Sequence, residues 1–516
     1  MFNNFWLKIL ISILGGIFLS FSAPGYNLWI IAWIGLVPLF TIINISKRTS
    51  ETLLLSFLFG FSYNFSYLHW LLSLHPLTWL GLSIKESYFV SFFALFIPAF
   101  YNALFFVLFA YVVILFKRLS SYKNGILNLL FISIIWLIVF NKLSASAFLH
   151  GFPWTLIEYS QYKNLLLIQV AEYFGSVSIS FLIVFFNLSL SNLLTSKLNI
   201  EKIGGRYISS KPMPLGEFVY PFSLSLILIF SSVVYGVISY NLNRQKVSYN
   251  SKSVILLQGN LPIRATRGRN LDFDLAKNVY NRLIKGNYAD LLVAPEGALP
   301  VLFDDNSIAK YWLKNIVNNK KTDVIFGTYC NEGNPDYTNC AVLAKKESLS
   351  YYDKERLVPF GEYVPFYSFL PGPLKKFSDF AVGSGFKKGK RNSPLELSNS
   401  KMDQKIGQRI GINICFELIF PTLIRKHSLN GANFLLNLSD LSWFRNNLIK
   451  KQFLAFGVFR AIENRKPLII STNNGISAFI EQNGKIKKCS NPDEEMILSD
   501  WINLNNKITF YAKYGW

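Results

Sequence analysis

The sequence RIGINICFELIFP, Arg409 to Pro421, joins the pattern of a buried strand to two reactive side chains. Its first half is apolar and β-branched, which is typical of a strand inside an α/β sheet. Cys415 follows this run directly, and Glu417 lies two residues further on. A side chain at a strand end can enter a site while the sheet holds its backbone rigid. The stretch therefore predicts an α/β domain with a candidate thiol nucleophile at a strand end.

The same alternation of short apolar runs and polar helical stretches continues through the C-terminal half of the chain. Buried strands of this kind, interleaved with helices, favour an α/β domain over residues 246–510. We expect strands at 253–260, 289–297, 323–329, 340–346, 410–417, 432–440 and 467–475, and helices near 270–287, 305–319, 421–429 and 446–464.

The N-terminal half is much more apolar. Hydrophobic residues make up 51% of the 516-residue chain, with 47 Phe, and mean hydropathy is +0.30. A helix needs about 20 apolar residues to cross a bilayer. Residues 1–245 predict a transmembrane helical bundle with about seven spans, near 6–22, 28–45, 52–72, 88–116, 125–141, 166–194 and 219–241.

Loop charges predict the orientation of these spans. Alternate loops carry nine Lys or Arg residues against three, and the positive set faces the cytoplasm. An odd number of spans then places the C-terminal half on the far side, which is the periplasm of a bacterium with two membranes. The nine are Lys47, Arg48, Lys117, Arg118, Lys123, Lys197, Lys202, Arg206 and Lys211, and the three are Lys85, Lys142 and Lys163.

The net charge of +22 indicates an anionic partner. In a chain with spanning helices, phospholipid head groups are that partner, and the absence of zinc-finger or RNP-like motifs argues against nucleic acid. The four cysteines contain no CxxC pair, which argues against a metal or redox motif. Cys330 and Cys340 could pair in an oxidising compartment, but their spacing does not decide it.

Three reactive residues stand where predicted strands end: Glu296, Lys354 and Cys415. A carboxylate can deprotonate a thiol, and a lysine can donate to the oxyanion that forms when a thiolate attacks a carbonyl. The backbone N–H of Phe416 could supply a second donor. Each residue also has an ordinary structural interpretation, as a core cysteine, a turn carboxylate and a solvated lysine, and spacing alone does not choose between them.

Three motifs carry a family resemblance. APEGALP (294–300), YDKERLVPFGEYVPF (352–366) and GINICFELIFP (411–421) resemble the active-site motifs of the nitrilase superfamily. They are most similar to those of the apolipoprotein N-acyltransferases, bacterial inner-membrane enzymes of that superfamily. The likeness extends to LLQGNLP (256–262), NLSDLSWF (437–444), the stretch 459–480 and, in the apolar half, HGFPWTLIEYSQ (150–161).

The resemblance implies a membrane bundle that carries a nitrilase-like αββα sandwich, with Glu296, Lys354 and Cys415 as the catalytic triad. It implies transfer of an acyl chain from the sn-1 position of a phospholipid to the N-terminal amine of the S-diacylglyceryl cysteine of an apolipoprotein. No metal and no cofactor are expected. Glu362 is expected to position Lys354 or assist proton transfer, and Glu417 to orient the nucleophile's loop. Trp443 matches an aromatic residue near the active-site entrance.

Two other functions remain open from the residues alone. A membrane-tethered nitrilase-type amidase acting on a small amide would have the same fold and triad, although a tether needs only one span. A transporter or scaffold would require repeats or several charged groups within the spans, which the sequence lacks. One chain could hold the complete site, so we expect a monomer.

Two further hypotheses concern regions near the triad. The aromatic and basic segment 360–392 could lie at the bilayer surface, with Lys375, Lys376, Lys387 and Lys388 meeting phosphates. His427 could pair with Cys415, but a predicted helix lies between them.

Overall fold

The computed structural model describes residues 4–46, 48–119, 125–146, 151–198, 216–244, 251–266, 271–331, 337–359, 361–364, 368, 386–398 and 408–515. The chain forms two compact units. The first comprises Met1–Leu72 and Tyr88–Ser239, and the second comprises Ser73–Ser87 and Tyr240–Trp516. The short segment Ser73–Ser87 thus belongs with the C-terminal half, although the chain on both sides of it belongs to the first unit.

The first unit is helical. Its helices are α1 (Phe5–Ser20), α2 (Val37–Ile45), α3 (Thr49–Tyr67), α4 (Ile84–Leu119), α5 (Gly125–Trp136, continued by a π-helical stretch Leu137–Leu143), α6 (Ala171–Phe174), α7 (Val177–Leu198) and α8 (Gly216–Leu242). Small residues allow close packing: a Cβ on Gly16 of α1 would lie 2.3 Å from the carbonyl oxygen of Phe59 in α3.

Among the described residues, four helices are long and apolar enough to cross a membrane: Ile84–Leu119, Gly125–Leu143, Val177–Thr195 and Phe218–Leu242. Phe5–Ser20 and Trp29–Ile45 are shorter apolar helices. Each of the seven segments expected to span contains a helix, and the count of seven stays a prediction. The segment 166–194, where one span is expected, contains the short helix α6 and the long helix α7, which are separated at Gly175 with φ +73.

The described residues of the second unit form two six-stranded sheets. The strands are β1 (Ser251–Gln258), β2 (Leu291–Val293), β3 (Asp323–Cys330), β4 (Thr338–Ala344), β5 (Leu349–Asp353), β6 (Leu395–Glu396), β7 (Arg409–Ile414), β8 (Phe434–Ser439), β9 (Leu468–Thr472), β10 (Ala478–Ile480), β11 (Ile486–Cys489) and β12 (Met496–Asn503). One sheet has the order β12-β1-β2-β3-β4-β5 and the other β11-β10-β9-β8-β7-β6.

The helices of this unit are α9 (Ile263–Thr266), α10 (Phe273–Ile284), α11 (Ser307–Lys320), α12 (Pro421–Leu429), α13 (Asn447–Asn464) and α14 (Phe510–Tyr514). One core lies between the two sheets and includes Val254, Ile412 and Leu436. A second core lies between the first sheet and helices α10 and α11. Helices α12 and α13 contact strands β7 and β9 of the second sheet, so the unit is an αββα sandwich, as the family resemblance implies.

Strand direction brings the chemistry to one edge of each sheet. β2 and β3 are parallel, and β5 has the same direction because β3, β4 and β5 pair antiparallel in turn. In the second sheet β7, β8 and β9 are parallel. Carboxyl ends of parallel strands meet at the same edge, which is where sites form in α/β folds.

Candidate active site

Four buried polar residues form the centre of the site, which we name the lysine cluster: Glu296, Asn339, Lys354 and Glu362. The Lys354 ammonium donates to Glu362 Oε1 at 2.8 Å and to Glu296 Oε1 at 3.3 Å. The Asn339 amide donates to the same two oxygens, at 2.6 Å to Glu296 and 3.0 Å to Glu362. All four side chains are almost completely buried. A buried ammonium of this kind needs such partners, because an unpaired charge away from water is very costly.

Each member of the lysine cluster comes from a different element. Glu296 follows β2, Lys354 follows β5, and Asn339 lies on β4 between them. Glu362 lies in the loop after Lys354, where its Oε2 accepts from the backbone N–H of Val358 at 2.9 Å. The structure therefore brings together the predicted Glu296, Lys354 and Glu362.

Cys415 directly follows β7 and is half-buried. Its φ of +51 is a left-handed backbone conformation that residues other than glycine rarely adopt. Asn437 of β8 stabilises this turn, because its amide donates to the carbonyl of Cys415 at 3.2 Å and to Asn413 Oδ1 at 2.6 Å. Strained backbone of this kind clusters at functional sites, where the surrounding structure holds a side chain in one direction.

A further buried carboxylate belongs to what we name the Glu417 clasp: Glu417 with Tyr352 and the backbone of Ile414, Glu355 and Arg356. Glu417 Oε1 accepts from the N–H groups of Glu355 (2.6 Å) and Arg356 (3.0 Å). Its Oε2 accepts from the N–H of Ile414 (2.6 Å) and the Tyr352 hydroxyl (2.9 Å). These bonds tie the end of β7 to the loop that follows Lys354, and the orienting role of Glu417 stays a prediction.

Burial raises the pKa of Glu417 to about 7, although its backbone hydrogen bonds and the charge of Lys354 act in the opposite direction. His427 behaves differently. It packs its ring 5.6 Å from that of Tyr352, and burial lowers its pKa to about 4, so that it is neutral near pH 7. This places His427 in the packing of α12 against the sheet.

Asp440, at the end of β8, joins the second sheet to the lysine cluster. Its backbone N–H donates to Glu296 Oε2 at 2.8 Å. Its own carboxylate accepts from Thr266, Ser442 and Asn473, at 3.1–3.2 Å. The strand ends of both sheets thus hold the same carboxylate, Glu296.

The two predicted aromatic residues lie in the loops after these strands. Phe416 is buried and packs its ring edge-on against Phe420, with centroids 5.2 Å apart. Trp443 is half-buried and packs edge-on against Trp79, with centroids 5.0 Å apart. Trp79 belongs to the segment Ser73–Ser87 of the same unit.

Part of the basic segment 360–392 is tied to the lysine cluster. The N–H of Phe386 donates to the carbonyl of Glu362, and that of Gly389 donates to the carbonyl of Lys354, both at 2.9 Å. A Cβ at Gly389 would lie 1.9 Å from the Cβ of Asp353, so only glycine fits. Lys387 and Lys388 are exposed. Lys375 and Lys376 lie outside the described residues, and the bilayer-surface hypothesis stays a prediction.

Sequence reasoning missed Asn339, Asp440 and Tyr352. A signal was present for Asn339, since an amide inside a buried strand needs hydrogen-bond partners. Cys330 and Cys340, left open by the sequence, form a disulfide with a Cα–Cα distance of 6.0 Å. They lie close to Asp353, but disulfide sulfurs are not metal ligands in the way thiolates are.

Comparisons with known proteins agree with this architecture. Residues 15–189 match the family described as the apolipoprotein N-acyltransferase N-terminal domain, and residues 266–506 match the carbon-nitrogen hydrolase family. An apolipoprotein N-acyltransferase of Geobacter metallireducens is 29% identical, covering 98% of this chain and 91% of that protein. One of Haemophilus influenzae is 27% identical, covering 94% and 87%.

Among solved structures, a nitrilase-superfamily protein of Saccharomyces cerevisiae has 17% identity and a TM-score of 0.37, covering 50% of this chain and 92% of that one. An amidase from Nesterenkonia sp. has 19% identity and a TM-score of 0.36, covering 52% and 95%.

The second unit is a nitrilase-type carbon-nitrogen hydrolase domain, and the chain is a member of the nitrilase superfamily. With the N-terminal match and relatives along almost its whole length, it belongs to the apolipoprotein N-acyltransferase family.

Proposed function

We propose that this chain transfers an acyl chain from the sn-1 position of a phospholipid to the N-terminal amine of the S-diacylglyceryl cysteine of apolipoproteins. The observation that carries the proposal is Lys354, held at 2.8 and 3.3 Å by two buried carboxylates. It stands at the same sheet edge as Glu296, in a chain whose N-terminal half matches the family's own domain. The reaction would complete the maturation of lipoproteins.

In the first half-reaction, Glu296 takes the proton of the Cys415 thiol. The thiolate attacks the ester carbonyl, and Lys354 and the backbone N–H of Phe416 donate to the oxyanion. The bond between the carbonyl carbon and the glycerol oxygen breaks, and the proton on Glu296 passes to that oxygen. Lysophospholipid leaves, and a thioester remains on Cys415.

In the second half-reaction, the α-amine of the apolipoprotein attacks the thioester carbonyl and gives a proton to Glu296. The carbon–sulfur bond breaks, an amide forms, and Glu296 returns the proton to the sulfur. Glu362 keeps Lys354 in place through both halves, and Glu417 holds the loop that carries the nucleophile. Trp443 lies at the entrance to the site.

The apolar helices support a lipid donor. Both substrates carry chains that partition into a bilayer, so a multi-pass bundle can turn chain binding into proximity at the reacting ester. We place the protein in the bacterial inner membrane, as a monomer, with the second unit in the periplasm. That orientation follows from the loop charges, and the excess of Lys and Arg suits anionic head groups.

Trapping the acyl-enzyme tests the proposal. The purified chain is incubated with a phospholipid of defined sn-1 chain and then analysed by intact and peptide mass spectrometry. We expect an acyl adduct on Cys415 that neutral hydroxylamine releases. Addition of a diacylglyceryl-cysteine peptide should discharge the adduct and yield the N-acylated peptide.

Two variants serve as controls. Cys415→Ala should give no adduct, whereas Cys489→Ser should behave as wild type, because Cys489 is an exposed cysteine on β11. Absence of an adduct with every phospholipid, together with hydrolysis of a small amide, would replace the acyltransferase by an amidase.

A further inference from the structure

The segment Ser73–Ser87 has an ordered structure of its own within the second unit. Ser87 Oγ accepts from the backbone N–H of Leu77 at 2.8 Å and lies 2.8 Å from Nδ1 of His75. A single 3₁₀ turn over Thr78–Leu80 ends at Gly81, whose φ is +83. These contacts close the segment into a compact loop that presents Trp79.

Contacts of Trp79 and Ser73 join this loop to the chain after β8. The ring of Trp79 packs edge-on against Trp443 with centroids 5.0 Å apart, a geometry favoured by aromatic pairs. The backbone N–H of Asn446 donates to Ser73 Oγ at 3.3 Å. The loop therefore meets residues 440–446 near their middle and at their C-terminal end.

The N-terminal end of residues 440–446 is held by the lysine cluster. Asp440 donates its backbone N–H to Glu296 Oε2, and the Asp440 carboxylate accepts the N–H of Ser442, the residue before Trp443. Only two residues, Leu441 and Ser442, therefore separate Trp443 from the residue whose N–H donates to Glu296.

We propose that Trp79 is a positioning residue that acts through Trp443 to keep the Asp440 N–H on Glu296. This rests on the proposed function only in that Glu296 is the base for Cys415. A hydrogen bond from a backbone N–H stabilises the charged form of a carboxylate. Losing it makes Glu296 a poorer proton acceptor at low pH, so formation of the Cys415 thiolate slows.

Other charged and titratable groups near Glu296 also influence its protonation. Lys354 faces it from the end of β5, Glu362 shares that lysine, and Asp440 faces it from the end of β8. Among the described residues, the Trp79 ring packs against Trp443, which is none of these groups. Its effect should therefore differ from direct removal of a charge.

The experiment measures alkylation of Cys415 by iodoacetamide between pH 6 and 9 in the full-length chain carrying Cys489→Ser. We expect Trp79→Ala to slow alkylation about tenfold at pH 6.5 and less than twofold at pH 9, so that the acid limb moves to higher pH. Trp79→Phe, which keeps an aromatic contact, should stay within about twofold of wild type. Trp501→Ala, at a half-exposed tryptophan on edge strand β12, is the matched control and should change nothing.

A double variant identifies the route. If Trp79 acts through Glu296, then Trp79→Ala adds no slowing to Glu296→Gln, since effects on one coupled pathway are not additive. Equal alkylation by Trp79→Ala and wild type at pH 6.5, or full additivity with Glu296→Gln, would overturn the inference. Because alkylation needs no lipid, a pH-dependent response to Trp79 would stand even if no phospholipid acylated Cys415.

Discussion

The lysine cluster and the Glu417 clasp both bury carboxylates in the second unit, but they satisfy them differently. Glu296 and Glu362 share one ammonium and one amide, so the cluster carries one more negative charge than positive. Glu417 accepts from three backbone N–H groups and a tyrosine hydroxyl. The first arrangement is made of side chains, whereas the second is made largely of backbone donors.

This difference suggests a division of roles, in which the lysine cluster serves activity and the Glu417 clasp serves stability. A carboxylate beside a shared ammonium can gain a proton without leaving several backbone donors unsatisfied. A carboxylate that closes two loops through backbone donors stabilises those loops, and its loss is a loss of structure. We therefore expect changes in the lysine cluster to lower activity more than stability, and changes in the clasp to do the reverse.

The largest expected effect is that of Glu296→Gln. The substitution keeps the shape of the side chain and removes the excess negative charge of the lysine cluster, so the fold should be retained. Loss of a general base lowers rates by about 10²–10⁴-fold. We expect acylation of Cys415 to fall about 1,000-fold in single-turnover mass spectrometry, with the Tm in detergent within about 3 °C of wild type.

Lys354→Met provides the contrast. It leaves two buried carboxylates without their ammonium, which typically costs about 3–5 kcal/mol. This variant should lose both activity and stability. If Glu296→Gln instead unfolds as readily as Lys354→Met, the lysine cluster is a structural element, and the proposed division of roles between the two clusters is wrong.

The next effect is the loss of stability in Glu417→Gln. At pH 8 the substitution turns an acceptor of four hydrogen bonds into an amide whose NH₂ faces donors, a loss of about 3 kcal/mol. For a unit of this size we expect the Tm to fall by about 6–12 °C in thermal unfolding. Tyr352→Phe removes one donor only and should cost about 1 kcal/mol. A Glu417→Gln chain of wild-type Tm that is nevertheless inactive would give Glu417 a chemical role.

The pH dependence of stability sharpens the same point. Glu417 has its pKa raised to about 7 from an ordinary value of 4.5. Between these values the folded chain keeps a proton that the unfolded chain has lost, so this contribution to stability is present below about pH 4.5 and is lost as the pH rises through 7. The total is about 3 kcal/mol. The Tm difference between wild type and Glu417→Gln should therefore change steadily from pH 5 to 7.5.

His427 must be separated from this effect, because its sign is opposite. Its pKa is lowered to about 4, so the unfolded chain binds a proton between about pH 4 and 6.5 that the folded chain does not. Stability from this group rises with pH across that window. Subtracting the Glu417→Gln curve from that of wild type removes the histidine slope. If the Tm difference between wild type and Glu417→Gln instead grows as the pH rises, the four hydrogen-bond donors stabilise the charged carboxylate more than burial destabilises it.

The sequence predicted strands and helices well where burial is continuous. The apolar run before Cys415 became β7, and the predicted helix 421–429 has the observed bounds. It did not predict β11 or β12, two edge strands whose residues are mostly exposed or only partly buried. Buried strands have a strong apolar signal, whereas strands with one exposed face are weaker and resemble loops.

Contacts of the site were harder to predict than its residue types. The motifs predicted Glu296, Lys354 and Cys415 as site residues. Asn339 lies in none of these motifs, and its contacts depend on the register of β4, which pairs Cys340 with Asp353 and so brings its neighbour, Asn339, to Lys354. Such a register follows from the packing of the whole sheet.

A smaller effect on activity than that of Glu296→Gln tests this missed residue. Asn339→Ala removes the amide that donates to Glu296 and Glu362, and a hydrogen bond to a charged group contributes about 1.5–3 kcal/mol. We expect kcat for acyl transfer to fall about 10- to 100-fold with KM nearly unchanged, because the amide contacts the base and not the lipid. Asn339→Asp should be worse in both activity and Tm, since it adds a third carboxylate around one ammonium. If Asn339→Ala lowers the Tm as far as Glu417→Gln while kcat is retained, Asn339 contributes to stability and not to activity. The contrast between the lysine cluster and the Glu417 clasp would then fail for this residue.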